Sequence, residues 1–309
     1  MALLHPQLEA FLAVIEEGGF ERAARRLCIT PSALSQRIKG LEDRLGAVLV
    51  RRSVPAAATP AGEKLLRRAQ SMRLLESETL ADFRPGEETD RVARLTILVN
   101  NDSLATWLPE ALTDFALHAG SSEKGGQRVA LDVRTDDQDH ALESLRNGTA
   151  VAVVTSESAP VPGARATALG VMRYVAVASP DFAKTFLRGD PNETLRNAPV
   201  LCFDRKDSLQ ERFLAGLGIG PGERPGVVHY APSPAAMIEL TVRGLGWCMA
   251  PDSLAHSLIR TGELVEFVPG RKIDVPLFWQ CSAIRSALLM RLGDVIRKTA
   301  AKRLRPIGQ

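Results

Sequence analysis

Between residues 30 and 52 the chain carries side chains whose types suit the edges of base pairs: Thr30, Ser32, Ser35, Gln36, Arg37 and Lys39, then Arg51 and Arg52. Glutamine can bond an adenine edge in two places, arginine a guanine edge, and serine hydroxyls serve either a base or a phosphate. Pro31 and Ala33 belong to the same candidate DNA-contacting set. Charge agrees: from Arg22 to Arg68 there are eleven basic residues against three acidic ones, a local excess far above the +3 of the whole chain. Such an excess is the footprint of a phosphate backbone.

A second group of polar side chains falls where strands are expected to end. The runs ARLTILVN, RVALDVRTD and AVAVVTS alternate with helical segments, which argues for a parallel sheet with crossover helices. In such sheets ligands sit beyond the carboxyl ends of the strands. Four loops lie there, and they supply Asn100, Asp102 and Ser103, then Thr155 and Ser156, then Asp204 and Asp207, then Ser233. Ser103 or Asp102 is expected to cap a helix whose free N–H groups suit a carboxylate. Asp204 or Asp207, with Asp102 or Glu157, suits a cationic side chain. Loops of this kind describe a site for a small zwitterion and fit a basic amino acid. The same residue types are also turn and cap formers, and for each of them that is the competing role.

The elements that must hold the first group are short helices. Pro6 to Glu17 has Leu8, Phe11, Leu12 and Ile15 on one side and ends at Gly18-Gly19; its residues read as a first helix and not as a signal peptide. Ala23, Ala24 and Leu27 mark a second helix, and Leu34, Ile38 and Leu41 the apolar stripe of a third, which Thr30 caps and Pro31 opens. One face anchors and the other is polar and basic, as in a helix-turn-helix whose second helix enters the major groove. A solvated basic hairpin without nucleic acid is the alternative, and the basic excess counts against it. Val48 to Val50 and the Val54-Pro55 break predict a two-stranded wing, although Ala56-Ala57-Ala58 is less polar than a DNA-facing tip should be. Thr59 caps a long helix from Pro60 to about Phe83, with Leu65, Leu66, Ala69, Met72, Leu75 and Leu80 on one side and Arg67, Arg68, Glu76 and Glu78 outside. Residues 84–90 read as a hinge.

Signatures of catalysis are missing. The chain has no phosphate loop, no GxGxxG after a strand, no GxSxG and no HExxH. Its five histidines stand singly, and Cys28, Cys202, Cys248 and Cys281 lack metal-ligand spacing, so neither a metal nor a cofactor is expected. No apolar run reaches the roughly twenty residues of a membrane span. A cytoplasmic binding protein with reduced thiols is the expectation.

Ala23-Ala24, Leu27, Leu34-Ser35, Ile38, Leu41-Glu42, Leu45-Gly46, Leu49-Val50 and Arg52, followed by Thr59-Pro60-Ala61-Gly62, resemble the winged helix-turn-helix of LysR-type transcriptional regulators. The fuller runs GFERAARRLCIT, ALSQRIKGLE and NDSLATW are similar to its lysine- and arginine-sensing (ArgP/LysG-like) branch. The resemblance implies an N-terminal all-α winged helix-turn-helix with a long linker helix, then a two-lobed α/β effector domain like the periplasmic binding proteins. Its expected boundaries are 1–59, 60–90 and 91–309, with one lobe at about 91–168 and 267–309 and the other at about 169–266. It further implies a homodimer or homotetramer on a palindromic operator in double-stranded DNA, contact with RNA polymerase, lysine or arginine as effector, and a basic amino-acid exporter gene as target. A LysR-type regulator of an aromatic or sugar acid, and a solute-binding or enzymatic α/β protein, are the alternatives.

Overall fold

The computed structural model describes residues 3–83, 92–119, 128–136, 138–220 and 226–307. Three helices open the chain, α1 (Pro6–Glu17), α2 (Phe20–Arg26) and α3 (Pro31–Leu45). Gly18 ends α1 at φ +62°, a left-handed conformation in which only glycine avoids a steric cost, and its N–H meets the Ile15 carbonyl. The Thr30 hydroxyl accepts the Ala33 N–H at 3.1 Å, and Pro31 takes the first turn of α3. Phe11, Leu12, Ala23, Ala24, Leu34 and Ile38 close one core.

A hairpin follows, β1 (Val50–Arg51) antiparallel to β2 (Ala57–Ala58). The alanines that look out of place at a wing tip are its return strand: Ala56 and Ala58 are buried, and fully exposed Val54 stands at the tip.

Helix α4 (Pro60–Phe83) crosses two packing units. Leu66 and Ala69 join the first core, and Leu74 joins the core of the C-terminal part. Met72, Leu75 and Phe83 stay exposed, so the single apolar side expected from the sequence is split into an inner face and an outer stripe. Two acids expected outside are turned inward. Glu76 accepts the Leu3 N–H and, at 2.9 Å, the Leu4 N–H; Glu78 accepts the Ser286 hydroxyl at 2.6 Å and the Leu288 N–H at 2.9 Å. Each carboxylate satisfies backbone donors at an element's start that local sequence does not reveal. The expected hinge at 84–90 lies outside the described residues.

The C-terminal part begins with β3 (Ala93–Val99), α5 (Asn101–Ala105), α6 (Leu108–Ala119), β4 (Val129–Thr135), α7 (Gln138–Asn147) and β5 (Ala152–Thr155). Helix α5 opens at Asn101, so the cap position falls to Asn100 and not to Asp102 or Ser103, which lie inside the helix. Strand β3 pairs parallel with both β4 and β5. The chain then enters β6 (Ala164–Ala178), a strand of 15 residues, and continues through α8 (Pro180–Phe186), α9 (Pro191–Asn197), β7 (Val200–Cys202), α10 (Leu209–Ala215), β8 (Val228–Tyr230), α11 (Pro234–Val242), β9 (Cys248–Pro251), α12 (Asp252–Thr261) and β10 (Val265–Glu266). It returns as β11 (Lys272–Ser282) and closes with α13 (Ala287–Arg303).

Strands β7 and β8 pair parallel as well; β6 and β11 run antiparallel to each other from Ala164 to Val175 and from Lys272 to Ser282, and β11 reaches β5. These two long strands cross from one lobe to the other, with the register shifting between Leu277 and Phe278. Opposite the shift Gly170 has φ +144°, and a Cβ there would lie 2.8 Å from the Arg305 carbonyl oxygen. A β-bulge with a glycine bends a strand pair at such a point.

On β11 the wholly buried Gln280 pins a loop: its amide donates to the carbonyls of Glu157 (2.8 Å) and Ala159 (2.9 Å), and its oxygen accepts the Val161 N–H (3.2 Å). Gln280→Leu strands all three backbone groups. We expect a loss of about 3 kcal/mol or more, from roughly 1–3 kcal/mol per buried unpaired group. Urea unfolding checks this as a lower midpoint at unchanged slope.

Candidate DNA-recognition face and effector cleft

Leu34, Ile38 and Leu41 pin α3 from behind, so the side chains opposite them point away from the core. Ser32, Gln36 and Lys39, spaced i, i+4 and i+7, are exposed and form the centre of that outer face. Ser35 and Arg37 flank it on either side, half-buried, and Ala33 lies at its edge. Thr30 and Pro31 spend themselves on starting the helix. Arg51 projects from β1, and the Arg52 guanidinium lies 4.8 Å from the centroid of the Phe20 ring. That stacking presets the Arg52 side chain. Phe20, as a platform, escapes any reading by residue type. Arg26 is not available for DNA in the same way, because it pairs with Glu16 (2.7 Å) and Glu17 (3.2 Å).

In the C-terminal part, a cleft of about 450 Å³ opens between the lobes. Of the eight residues expected there, Asn100, Asp102, Asp204 and Asp207 line it. The others do not. Ser103 is wholly buried, its hydroxyl taking the Trp107 indole N–H at 3.1 Å; Thr155 accepts the Glu157 N–H at 3.2 Å. Ser233 caps α11 through the Ala236 N–H, and Ser156 lies off the lining. Glu157, weighed as a partner for a cation, holds the Ala159 N–H at 3.0 Å. Helix starts and strand ends consumed these hydroxyls and carboxylates.

Asn101 and Lys206, on the same two loops, also line it; Asp136, Phe203, Leu209, Met237 and Met249 complete the wall and were missed. Asp136 follows the end of β4, so the strand-end rule that found the other loops also reaches it. The apolar members carry no such mark, because only tertiary packing brings them to the cleft.

The lining holds four carboxylates (Asp102, Asp136, Asp204, Asp207) and one cationic side chain, Lys206. Asp102 Oδ2 accepts the Tyr174 hydroxyl at 2.6 Å. Burial pushes the Asp102 carboxyl above its ordinary range, against the pull of the Tyr174 bond, and the neighbouring Asp207 charge adds to the rise. Tyr174 itself is pushed well up, by burial first and by Asp102 second. The site is short of positive charge, and a cation entering it relieves that shortage.

Cys202 and His229 are not brought together as a base and a nucleophile. Cys202 pairs in register with Tyr230 and His229 with Leu201, so Cys202 and His229 face opposite sides of the sheet. Burial pushes the Cys248 thiol up to about 12, which keeps it protonated and unreactive. Among the described residues, no helix is long and apolar enough to cross a membrane, and no group of three or more His, Cys, Asp or Glu could hold a metal ion.

Residues 5–63 match the model of the bacterial regulatory helix-turn-helix protein, lysR family, and residues 88–301 match that of the LysR substrate binding domain. The chain belongs to the LysR family. Among relatives of this LysR-family regulator, the HTH-type transcriptional regulator LysG of Mycobacterium tuberculosis is 42% identical over 297 residues, covering 96% of this chain and 93% of that one. The lysine export transcriptional regulatory protein LysG of Corynebacterium glutamicum is 39% identical over 305 residues, covering 97% and 99%. Among solved structures, ArgP from Mycobacterium tuberculosis superposes with a TM-score of 0.81 at 40% identity, covering 98% of this chain and 99% of that one. Full-length LysG from Corynebacterium glutamicum with bound effector Arg gives 0.74 at 37%, covering 98% and 100%. The winged helix-turn-helix and two-lobed architecture expected from the sequence is therefore that of the family.

Proposed function

We propose that this LysR-family regulator senses lysine or arginine in the cleft between its lobes and controls transcription of a basic amino-acid exporter gene. The observation that carries the effector is the wall itself: four carboxylates against one lysine. An aromatic or sugar acid would call for the opposite balance. Relatives named LysG and ArgP, one of them solved with arginine, support the same choice.

In this reading residues 1–59 bind DNA, 60–90 link and dimerise, and 91–309 bind effector. Ser32, Ser35, Gln36 and Arg37 read bases, while Lys39, Arg51 and Arg52 hold the backbone. The exposed stripe of Met72 and Leu75 on α4 pairs with the same helix of a second copy, giving the two-fold symmetry that a palindromic operator requires. The protein acts in the cytoplasm as a binding protein, without catalysis. An effector that favours one lobe arrangement over another shifts how the dimer holds its operator.

Thermal unfolding of the full chain with lysine, arginine, ornithine, an aromatic acid or buffer tests the effector. A ligand at about a hundred times its Kd contributes about 2.7 kcal/mol to the folded state. That is roughly 5 to 10 °C in midpoint for a cooperative unit of about 150–250 residues, the size of the effector-binding part. A rise with the basic amino acids alone is the expected result; a rise with the aromatic acid, or none with any, sinks the proposed effector class.

A further inference from the structure

Along one edge, β6 is paired by segments of both lobes. Strand β9 runs beside it from Cys248, opposite Val177, to Pro251, opposite Tyr174. Further back, at Val171, the partner is Arg305, in the segment that follows α13 and comes from the other lobe. Two backbone bonds make this bridge: the Val171 N–H donates to the Arg305 carbonyl at 2.8 Å, and the Arg305 N–H to the Val171 carbonyl at 3.1 Å. Gly170 is what admits it, because a Cβ there would lie 2.8 Å from the Arg305 carbonyl oxygen and 2.8 Å from the Leu304 Cβ. Leu304 packs against the main core, and Arg303 pairs with Glu110 of α6 at 2.6 Å. The segment is thus anchored in one lobe and bonded to the strand leading into the other, at the bulge where the crossing strands bend.

The Arg305 side chain reaches across as well. Its guanidinium donates to Asp252 Oδ2 at 3.4 Å, on the first residue of α12, directly after β9. The neighbouring Arg173 is occupied, held on both oxygens of Asp274 at 2.7 Å. These contacts border a cavity of about 570 Å³ that separates α5 and α6 of one lobe from α12 of the other. It lies at the Ala105–Trp107 end of α5, whereas the effector cleft lies at the Asn100–Asp102 end. A rocking of the lobes about β6 that narrows the cleft therefore widens this cavity and stretches whatever spans it.

We propose that residues 304–306 are a strap that holds the lobes apart at rest, with Arg305–Asp252 as its latch, and that the effector closes the cleft against it. In its link to the effector this inference rests on the basic amino-acid reading of the cleft. An effector that prefers the closed arrangement must overcome the strap, so the strap lowers affinity and raises the effector level at which the regulator responds. A half-exposed ion pair contributes at most about fivefold to such an equilibrium. A backbone bond adds a factor of about the same size.

Isothermal titration of the full chain with arginine and lysine, together with hydrogen exchange on the same protein, tests this. Arg305→Ala and Asp252→Asn are each expected to bind arginine about two- to fivefold more tightly than wild type. The double variant should bind no more tightly than either, because both single changes open one latch. Arg305→Pro also removes the N–H that the Val171 carbonyl accepts. Leu304, at φ −101° and ψ 158°, already has the extended backbone that a residue before proline takes. This variant is expected to bind about tenfold more tightly. Exchange of the β6 amides around Val171 should quicken by at least about tenfold, with those of α13 still protected. Unchanged or weaker binding in Arg305→Pro overturns the strap as a restraint on closure, and Arg305→Ala decides the same point should the proline variant fail to fold. Additive gains from the two single changes overturn the latch. Wild type that binds neither amino acid sinks the effector reading alone; the strap is then decided by exchange, and unchanged protection around Val171 in Arg305→Pro overturns it.

Discussion

Gly62→Ala is expected to cost about 3 kcal/mol or more and to dislodge the wing from α4. A Cβ at this position would lie 2.1 Å from the Leu49 carbonyl oxygen and 3.2 Å from the Ala58 Cβ. The oxygen cannot step aside cheaply, because it accepts the Thr59 N–H at 3.0 Å. Its neighbour is equally tied: the Thr59 hydroxyl donates to the Val48 carbonyl at 2.6 Å while accepting the Gly62 N–H at 3.0 Å. Thr59-Pro60-Ala61-Gly62 is thus a single joint, with the threonine capping α4, the proline opening it and the glycine admitting the β1 approach. Overpacking a closed interior typically costs about 1–3 kcal/mol, and here a cap and a backbone bond go with it. Calorimetry should show a large drop in the melting temperature of the N-terminal part, and operator binding should fall with it. A variant as stable as the parent would mean that the hairpin can shift as a body.

Gln36→Ala carries the second large effect, on DNA and not on stability. Gln36 is exposed at the middle of the outer face of α3 and, among the described residues, makes no bond that holds the fold. One bidentate base contact is worth about 1–3 kcal/mol of discrimination. Two half-sites in a dimer double that, so operator affinity should fall by roughly 30-fold to 10⁴-fold. Binding to unrelated duplex, which depends on phosphates, should hardly change. Arg51→Ala is the counterpart: it should weaken both kinds of DNA alike and reduce the dependence of log K on log salt by about one for each phosphate no longer neutralised. Fluorescence anisotropy over a salt series on operator and scrambled duplex separates the two. Equal weakening on both duplexes for Gln36→Ala would remove it from base reading.

Cap and close-approach positions were legible without tertiary information. Thr30, Pro31, Gly18 and the alanines at 23 and 24 act within a few residues of themselves, and helical spacing decides which side of α3 faces outward. Strand-end loops were legible for a similar reason, since a change of hydrophobic period marks where each strand stops. Tertiary structure alone decided what those loops do. Ser103 and Thr155 satisfy every local criterion for a ligand contact yet turn inward, because Trp107 and the Glu157 N–H claim their hydroxyls. Glu76 and Glu78 look like solvent-facing acids on α4 until the chain returns to place Leu3, Leu4 and α13 beside them. Asp102 shares this property in reverse: nothing in its neighbourhood of sequence marks it off from Asp204 or Asp207, and only Tyr174, 72 residues away, shows that its partner is a neutral hydroxyl. Periodicity and caps are properties of neighbouring residues, so composition and spacing determine them. Burial, register and charge pairing are properties of contacts between distant segments, and these appear only when the strands have paired and the lobes have met.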